Sequence, residues 1–260
     1  MTTPIFKSHF SVGKSILTLN SPKGPDSLDS SDSVFDIVSE NNLDKVVLVE
    51  DSLMGFLQAR KICEDLGKQL IFGVRLDCVE DVKSIEDPKD IKCNHKIILF
   101  PKNSDGCKHL NVIYTLAKTE YKGWIDLDIL SKHWSENDLC LAIPFYDSFL
   151  FNNLTSFQSC FVNFNFTKPT FFIEDNGLPF DFLTKNAVTK YCSINGFSTE
   201  LVQSIYYKNK KDFSAYLTYK LICGRNSFAG KELSLEKPNF DHLGSDQFCW
   251  ESYLEKYQSV

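Results

Sequence analysis

Apolar residues along this chain fall into short runs that switch between two periods. Val46, Val47, Leu48 and Val49 form a β-branched run of the kind found in a strand buried on both faces. Glu50, Asp51 and Ser52 interrupt it. From Met54 the apolar residues recur at helical spacing (Phe56, Leu57, Ile62, Cys63, Leu66), and Gly67 follows where a helix end wants a left-handed residue. Gln69 to Leu76 then predicts a second strand. This is a βαβ unit, which builds parallel sheets and places ligands at the carboxyl ends of strands. Glu50, Asp51 and the charged Arg75 stand where chemistry belongs.

Elsewhere the same patterns predict strands over 97–100, 140–144, 161–166, 170–173 and 201–206. They predict helices over 34–43 (capped by Asp32 or Ser33), 108–119, 180–193 and 212–223. Residues 20–32, rich in Ser, Pro, Gly and Asp, read as an exposed loop, and the polar, acidic stretch 77–94 as a hairpin-like excursion. Alternating strands and helices point to a closed or nearly closed α/β barrel, taken as one domain over residues 1–260.

Composition changes this picture little. Hydrophobic residues make up 43% of the chain, ample for a large core, and Phe is unusually frequent at 22 against 2 Met. The net charge of −6 opposes a phosphate backbone, so any nucleic-acid contact needs a local patch. The best candidate is Lys208, Lys210 and Lys211 beside Tyr206 and Tyr207, although such runs are more often a solvated turn. Nine cysteines are scattered singly with no Cys-x-x-Cys, which argues against zinc sites and disulfide frameworks and suits a reducing cytosol. No apolar run reaches membrane-spanning length, and no signal peptide precedes the first strand. Ser8 to Ser15 matches a phosphate-binding loop without its first Gly. Asn20-Ser-Pro22 also ends the segment before the long helix that such a loop requires.

Several stretches carry a family resemblance. The βαβ unit with its acidic turn resembles the second unit of the polymerase-and-histidinol-phosphatase (PHP) domain, in the form that opens the alpha subunit of bacterial replicative family C DNA polymerases. PIFKSHFSVGKSIL is similar to that family's opening strand, and HKIILFPKNSDGCKHLNVIYTLAK to its strand, Gly-containing loop and helix. LVQSIYYKNKKDFSAYLTYKLICGRN and SDQFCWESYLEKY resemble its closing strand, metal-site turn, helix and final segment. The resemblance covers nearly the whole chain in order. It implies the family's distorted (βα)7 barrel, an α/β fold, with the segment 240–260 leading toward the polymerase palm.

The metal ligands do not carry over. The first His of the family's His-x-His falls on Lys7, leaving His9; its Asp-His pair falls on Glu50 and Asp51. Its Gly-x-Glu ends on Arg75, and its closing Asn-Asp-x-His ends on Tyr206. Cations at two ligand positions supply the charge a metal supplied, so no metal cofactor is expected. His9, Glu50 and Asp51 are either a minimal site for one weakly held ion or, the favoured reading, partners of Lys7 and Arg75 in an ion-pair network filling a vestigial cavity.

The resemblance thus implies a non-catalytic structural module or subunit of a replicative DNA polymerase, a free-standing one of a phage replisome being one form. It would touch DNA only through the polymerase catalytic chain, in the cytoplasm (the host's, if phage-encoded). Phe248, Trp250 and Tyr253 are the candidate interface with that chain, followed by the Phe-rich stretch 145–166. The alternative is a metal-dependent phosphoesterase or 3′–5′ proofreading exonuclease.

Overall fold

The computed structural model describes residues 2–23, 31–85, 87, 91, 93–156, 159–224 and 244–257. The chain divides into two compact units, one of Met1–Phe72, Asp175–Pro179 and Val202–Val260, the other of Gly73–Glu174 and Phe180–Leu201.

In the first unit, strand β1 (Thr3–Phe6) lies parallel to β2 (Lys45–Glu50), with Ile5 opposite Val47 and Phe6 opposite Leu48. On its other side β1 runs parallel to the end of β8 (Ser198–Ile205), from Thr3 opposite Val202 to Phe6 opposite Ile205. Helix α1 (Val34–Glu40) is fixed by a capping box: the Ser33 hydroxyl accepts the Phe35 N–H, and the Asp36 carboxylate accepts the Ser33 N–H at 2.8 Å. Helix α2 (Phe56–Asp65) ends, as predicted, at Gly67 with φ +66°, and strand β3 (Gln69–Val79) follows. Helices α7 (Phe213–Gly224) and α8 (Trp250–Tyr257) complete this unit. Its core gathers Phe6, Leu17, Leu19, Phe35, Ile37 and Leu48, none of them exposed.

The second unit holds β4 (Asn94–Pro101), α3 (Ser104–Thr115), β5 (Trp124–Ile125), α4 (Leu127–Lys132), β6 (Leu139–Ile143), α5 (Phe149–Thr155), β7 (Thr170–Ile173) and α6 (Asp181–Asn195). Strand β4 is antiparallel both to β3, from Val74–Leu99 to Val79–Asn94, and to β6. Strands β6, β7 and the start of β8 run parallel.

The hydrogen-bonded strand order is β2-β1-β8-β7-β6-β4-β3-β5, and β2 also pairs with β3. Seven strands therefore close on themselves as a mixed β-barrel, which corrects the expected parallel, helix-ringed (βα)7 barrel. The physical reason lies between β3 and β4. A parallel return needs a crossover, usually a helix with an apolar face. This acidic connection supplies, among its described residues, only the short turn Val82–Ser84, so β4 folds back beside β3. The hairpin-like excursion read at 77–94 is thus the feature that rules out the uniform barrel.

Residues 161–166 form no strand. Phe161 is 94% exposed, while Phe164 packs against Phe149 and Phe171. The flanks of β7 are already taken by β6 and β8, which leaves this segment no ladder to join. Of the loop predicted at 20–32, residues 24–30 lie outside the described residues.

Candidate functional site

The carboxyl ends of β1 and β2 adjoin because their register pairs Phe6 with Leu48. Lys7 and Ser8 therefore leave β1 beside Glu50, the last residue of β2, and Ser11 reaches the same place from the turn that follows. The Ser8 N–H donates to Glu50 Oε1 at 2.8 Å and the Ser11 hydroxyl donates to Glu50 Oε2. The Asp51 N–H donates to Ser11 Oγ at 2.8 Å, and Lys7 Nζ is 3.0 Å from Asp51 Oδ1. Glu50 is fully buried and Lys7 only 4% exposed, whereas the Asp51 side chain keeps 33% of its surface.

Burial pushes the Glu50 carboxyl above its ordinary range; the Lys7 ammonium and the donors at Ser11 and Ser8 pull it back. Both Glu50 oxygens are thus engaged by protein donors and the nearby positive charge is Lys7. The pairing of Lys7 with Asp51 is one contact of the network favoured from the sequence, which also called for Arg75. Arg75 belongs to the second unit, where its guanidinium pairs with Asp147 at 3.4 Å, a partner that no local pattern pointed to.

His9 holds the turn through its backbone N–H to the Leu17 carbonyl at 2.8 Å, and its ring lies 4.3 Å from that of Phe10. Its Nδ1 is buried without a hydrogen-bond partner among the described residues. The donor atoms of His9, Glu50 and Asp51 do not converge at metal-ligand spacing; among the described residues that spacing is met by Cys93, His95 and Cys160 instead. The phosphate-loop lookalike has another job: Ser15 is buried and its hydroxyl donates to the Tyr206 carbonyl at 2.8 Å, with no helix following it.

The remaining candidates are placed by packing. Tyr206 is 7% exposed, its ring stacked 5.4 Å from Phe248 and 5.9 Å from Tyr216. Phe248, Trp250 and Tyr253 are likewise buried: Trp250 stacks on Phe6 and on Tyr253, and the Tyr253 hydroxyl donates to the Thr2 carbonyl at 2.8 Å. These three are core of the first unit rather than an exposed interface, because the segment after Ser245 is folded in beside β8 through Tyr206 N–H to the Phe248 carbonyl. In the basic run, Lys208 pairs with Glu40 at 2.7 Å and Lys210 with Glu255, so carboxylates already neutralise two of the three cations. Lys211 is exposed.

Sequence reasoning missed one cluster. In the second unit Cys93 and Cys160 are joined as a disulfide, Cα atoms 5.5 Å apart, although 67 residues separate them. His95 lies beside them, with Nδ1 4.0 Å from Cys93 Sγ. Burial holds the His95 imidazole down to about 4, so it is neutral over the physiological range. Cys93-x-His95 at the start of a strand was a readable signal, since alternate strand residues share a face; the distant Cys160 gave none. No family model matches the chain, and none of the curated proteins matches it.

Proposed function

We propose that the chain is a non-catalytic module that acts by binding another protein, the catalytic chain of a replicative DNA polymerase being the partner that the sequence resemblance implies. The observation that carries the non-catalytic half is the occupied strand-end site. Lys7, at the position where the resemblance implies a metal ligand, is paired with Asp51, and both oxygens of the buried Glu50 are held by Ser8 and Ser11. A carboxylate so committed is a poor metal ligand, and an ammonium alongside repels a cation. Without a metal pair, in-line displacement at phosphorus has neither an activated water nor a clamp for the leaving oxygen.

The partner half is supported by the sequence stretches that resemble the family's in chain order. It is tested by co-expressing the chain with the replicative polymerase chain of the same genome and passing the mixture over a size-exclusion column. Co-elution at micromolar concentration is expected, and separate elution rejects the partner. The non-catalytic half is tested apart from it, with labelled single-stranded and 3′-recessed DNA and manganese. Hydrolysis that disappears in Asp51→Asn would establish the phosphoesterase reading in its place.

A further inference from the structure

We infer that Cys93, His95 and Cys160, once the two cysteines are reduced, form a binding site for one thiophilic divalent metal ion, with Zn2+ the ion that the donors fit best. All three side chains are more than nine-tenths buried, and one donor atom from each lies within 4.8 Å of the others. Two thiolates and one imidazole are soft to borderline donors, which select zinc over magnesium or calcium. With zinc–sulfur bonds of about 2.3 Å and zinc–nitrogen bonds of about 2.0 Å, tetrahedral ligation separates sulfur and nitrogen by roughly 3.6 Å. The present 4.0 Å from His95 Nδ1 to Cys93 Sγ is close to that, and the two sulfurs move apart to roughly 3.8 Å once the S–S bond is cleaved.

Charge closes the case for an ion here. Two thiolates and a neutral imidazole cancel a divalent cation, so the loaded site is neutral and its burial leaves no uncompensated charge. A disulfide has no need of the imidazole, whose buried ring nevertheless turns Nδ1 toward Cys93 Sγ. The donors are also held in place. Cys93 and His95 flank Asn94 at the start of β4, and the Asn152 amide ties that point to α5 through the Asn94 carbonyl at 2.7 Å. Asn153 fixes Cys160 from both sides, donating to its carbonyl at 3.0 Å and accepting its N–H at 2.9 Å. Such prior fixing of ligands is what metal sites require. The seven other cysteines are free thiols, a composition suited to surroundings that would keep Cys93 and Cys160 reduced as well.

The experiment uses the full chain reduced by a water-soluble phosphine. The phosphine cleaves the S–S bond, with water supplying both thiol protons and the oxygen that leaves as phosphine oxide. Ion binding then releases those two protons to solvent. Titration with Co2+ is expected to give a thiolate-to-cobalt charge-transfer band saturating at one ion per chain, abolished on adding Zn2+. Cys93→Ser and Cys160→Ser should each weaken Zn2+ binding by at least about tenfold, and His95→Gln should alter the cobalt ligand-field bands. Cys140→Ser, at an exposed thiol outside the cluster, should leave the titration unchanged. The wild-type spectrum decides the matter even if a variant fails to fold. No charge-transfer band in the reduced protein, or a band that persists in the Cys93→Ser/Cys160→Ser chain, overturns the site and leaves the pair as a disulfide alone.

Discussion

Replacing Lys7 by Met removes one charge from the strand-end network while keeping most of the side chain's volume. Asp51 loses the Lys7 ammonium, but a third of its side chain is exposed and water takes that place. Glu50 has no such recourse, being fully buried. Its carboxylate keeps the Ser8 and Ser11 donors and loses the neighbouring positive charge. Breaking a buried ion pair from one side costs about 3–5 kcal/mol, which sets the expected loss at neutral pH.

The sign of the pH dependence follows from Glu50. A carboxyl whose folded pKa lies above its unfolded value is bound by its proton more tightly in the fold. It therefore destabilises above the folded pKa, and the deficit closes as pH falls into the ordinary carboxyl range. Loss of Lys7 raises that carboxyl further, so the Lys7→Met deficit should shrink on acidification. Urea unfolding followed by Trp fluorescence, Trp250 being buried in the same unit, measures it at about pH 7.5 and about pH 5. Adding Glu50→Gln to the variant should recover stability to within about 1 kcal/mol of the parent, since both charges are then gone. A deficit under about 1 kcal/mol at neutral pH, or one that does not change with pH, refutes the buried-network reasoning.

Three further outcomes are expected from unfolding measurements. Gly106→Ala should cost about 2–4 kcal/mol, because its new Cβ would fall on the Asp138 carbonyl oxygen at the start of α3, a backbone atom with little room to yield. Asp126→Ala should cost about 2 kcal/mol: its buried carboxylate caps α4 through the Ile129 N–H at 2.7 Å and also accepts the Val82 N–H at 3.1 Å. Phe248→Ala should cost about 3–5 kcal/mol by emptying the stack with Tyr206, whereas an exposed interface residue would cost under 1 kcal/mol.

What the sequence made legible was local. The run 46–49, the helical spacing from Phe56 and the glycine at 67 led directly to β2, α2 and the start of β3, because each is decided by neighbours a few residues away. That Lys7 lies near Glu50 and Asp51 was an expectation of the family resemblance, and the register of β1 with β2 is what brings them together. What remained hidden depended on direction and distant partners. A polar excursion at 77–94 reverses β4, and that reversal outweighed the regular alternation read elsewhere. Arg75 meets Asp147 across 72 residues and Cys93 meets Cys160 across 67, and neither pair leaves a trace in spacing. The aromatic C-terminal segment reads in sequence either as a partner interface or as core, because residue type alone does not separate a core ring from an interface ring.

The pairing of β1 with β8 sets a clock on biosynthesis. Thr3 lies opposite Val202, so one edge of the first strand has no ladder until 199 further residues have been made. At translation rates of about 5–20 residues per second, that edge waits roughly 10–40 s on the ribosome with only β2 beside it. The Thr2 carbonyl waits longer still for the hydroxyl of Tyr253. An unpaired strand edge is a template for joining other chains, so the first unit depends during that interval on nascent-chain chaperones or on the slowness of encounter. Ribosome-bound chains arrested before Val202 should remain protease-sensitive across β1, and full-length chains held out of the ribosome on an added C-terminal linker should not.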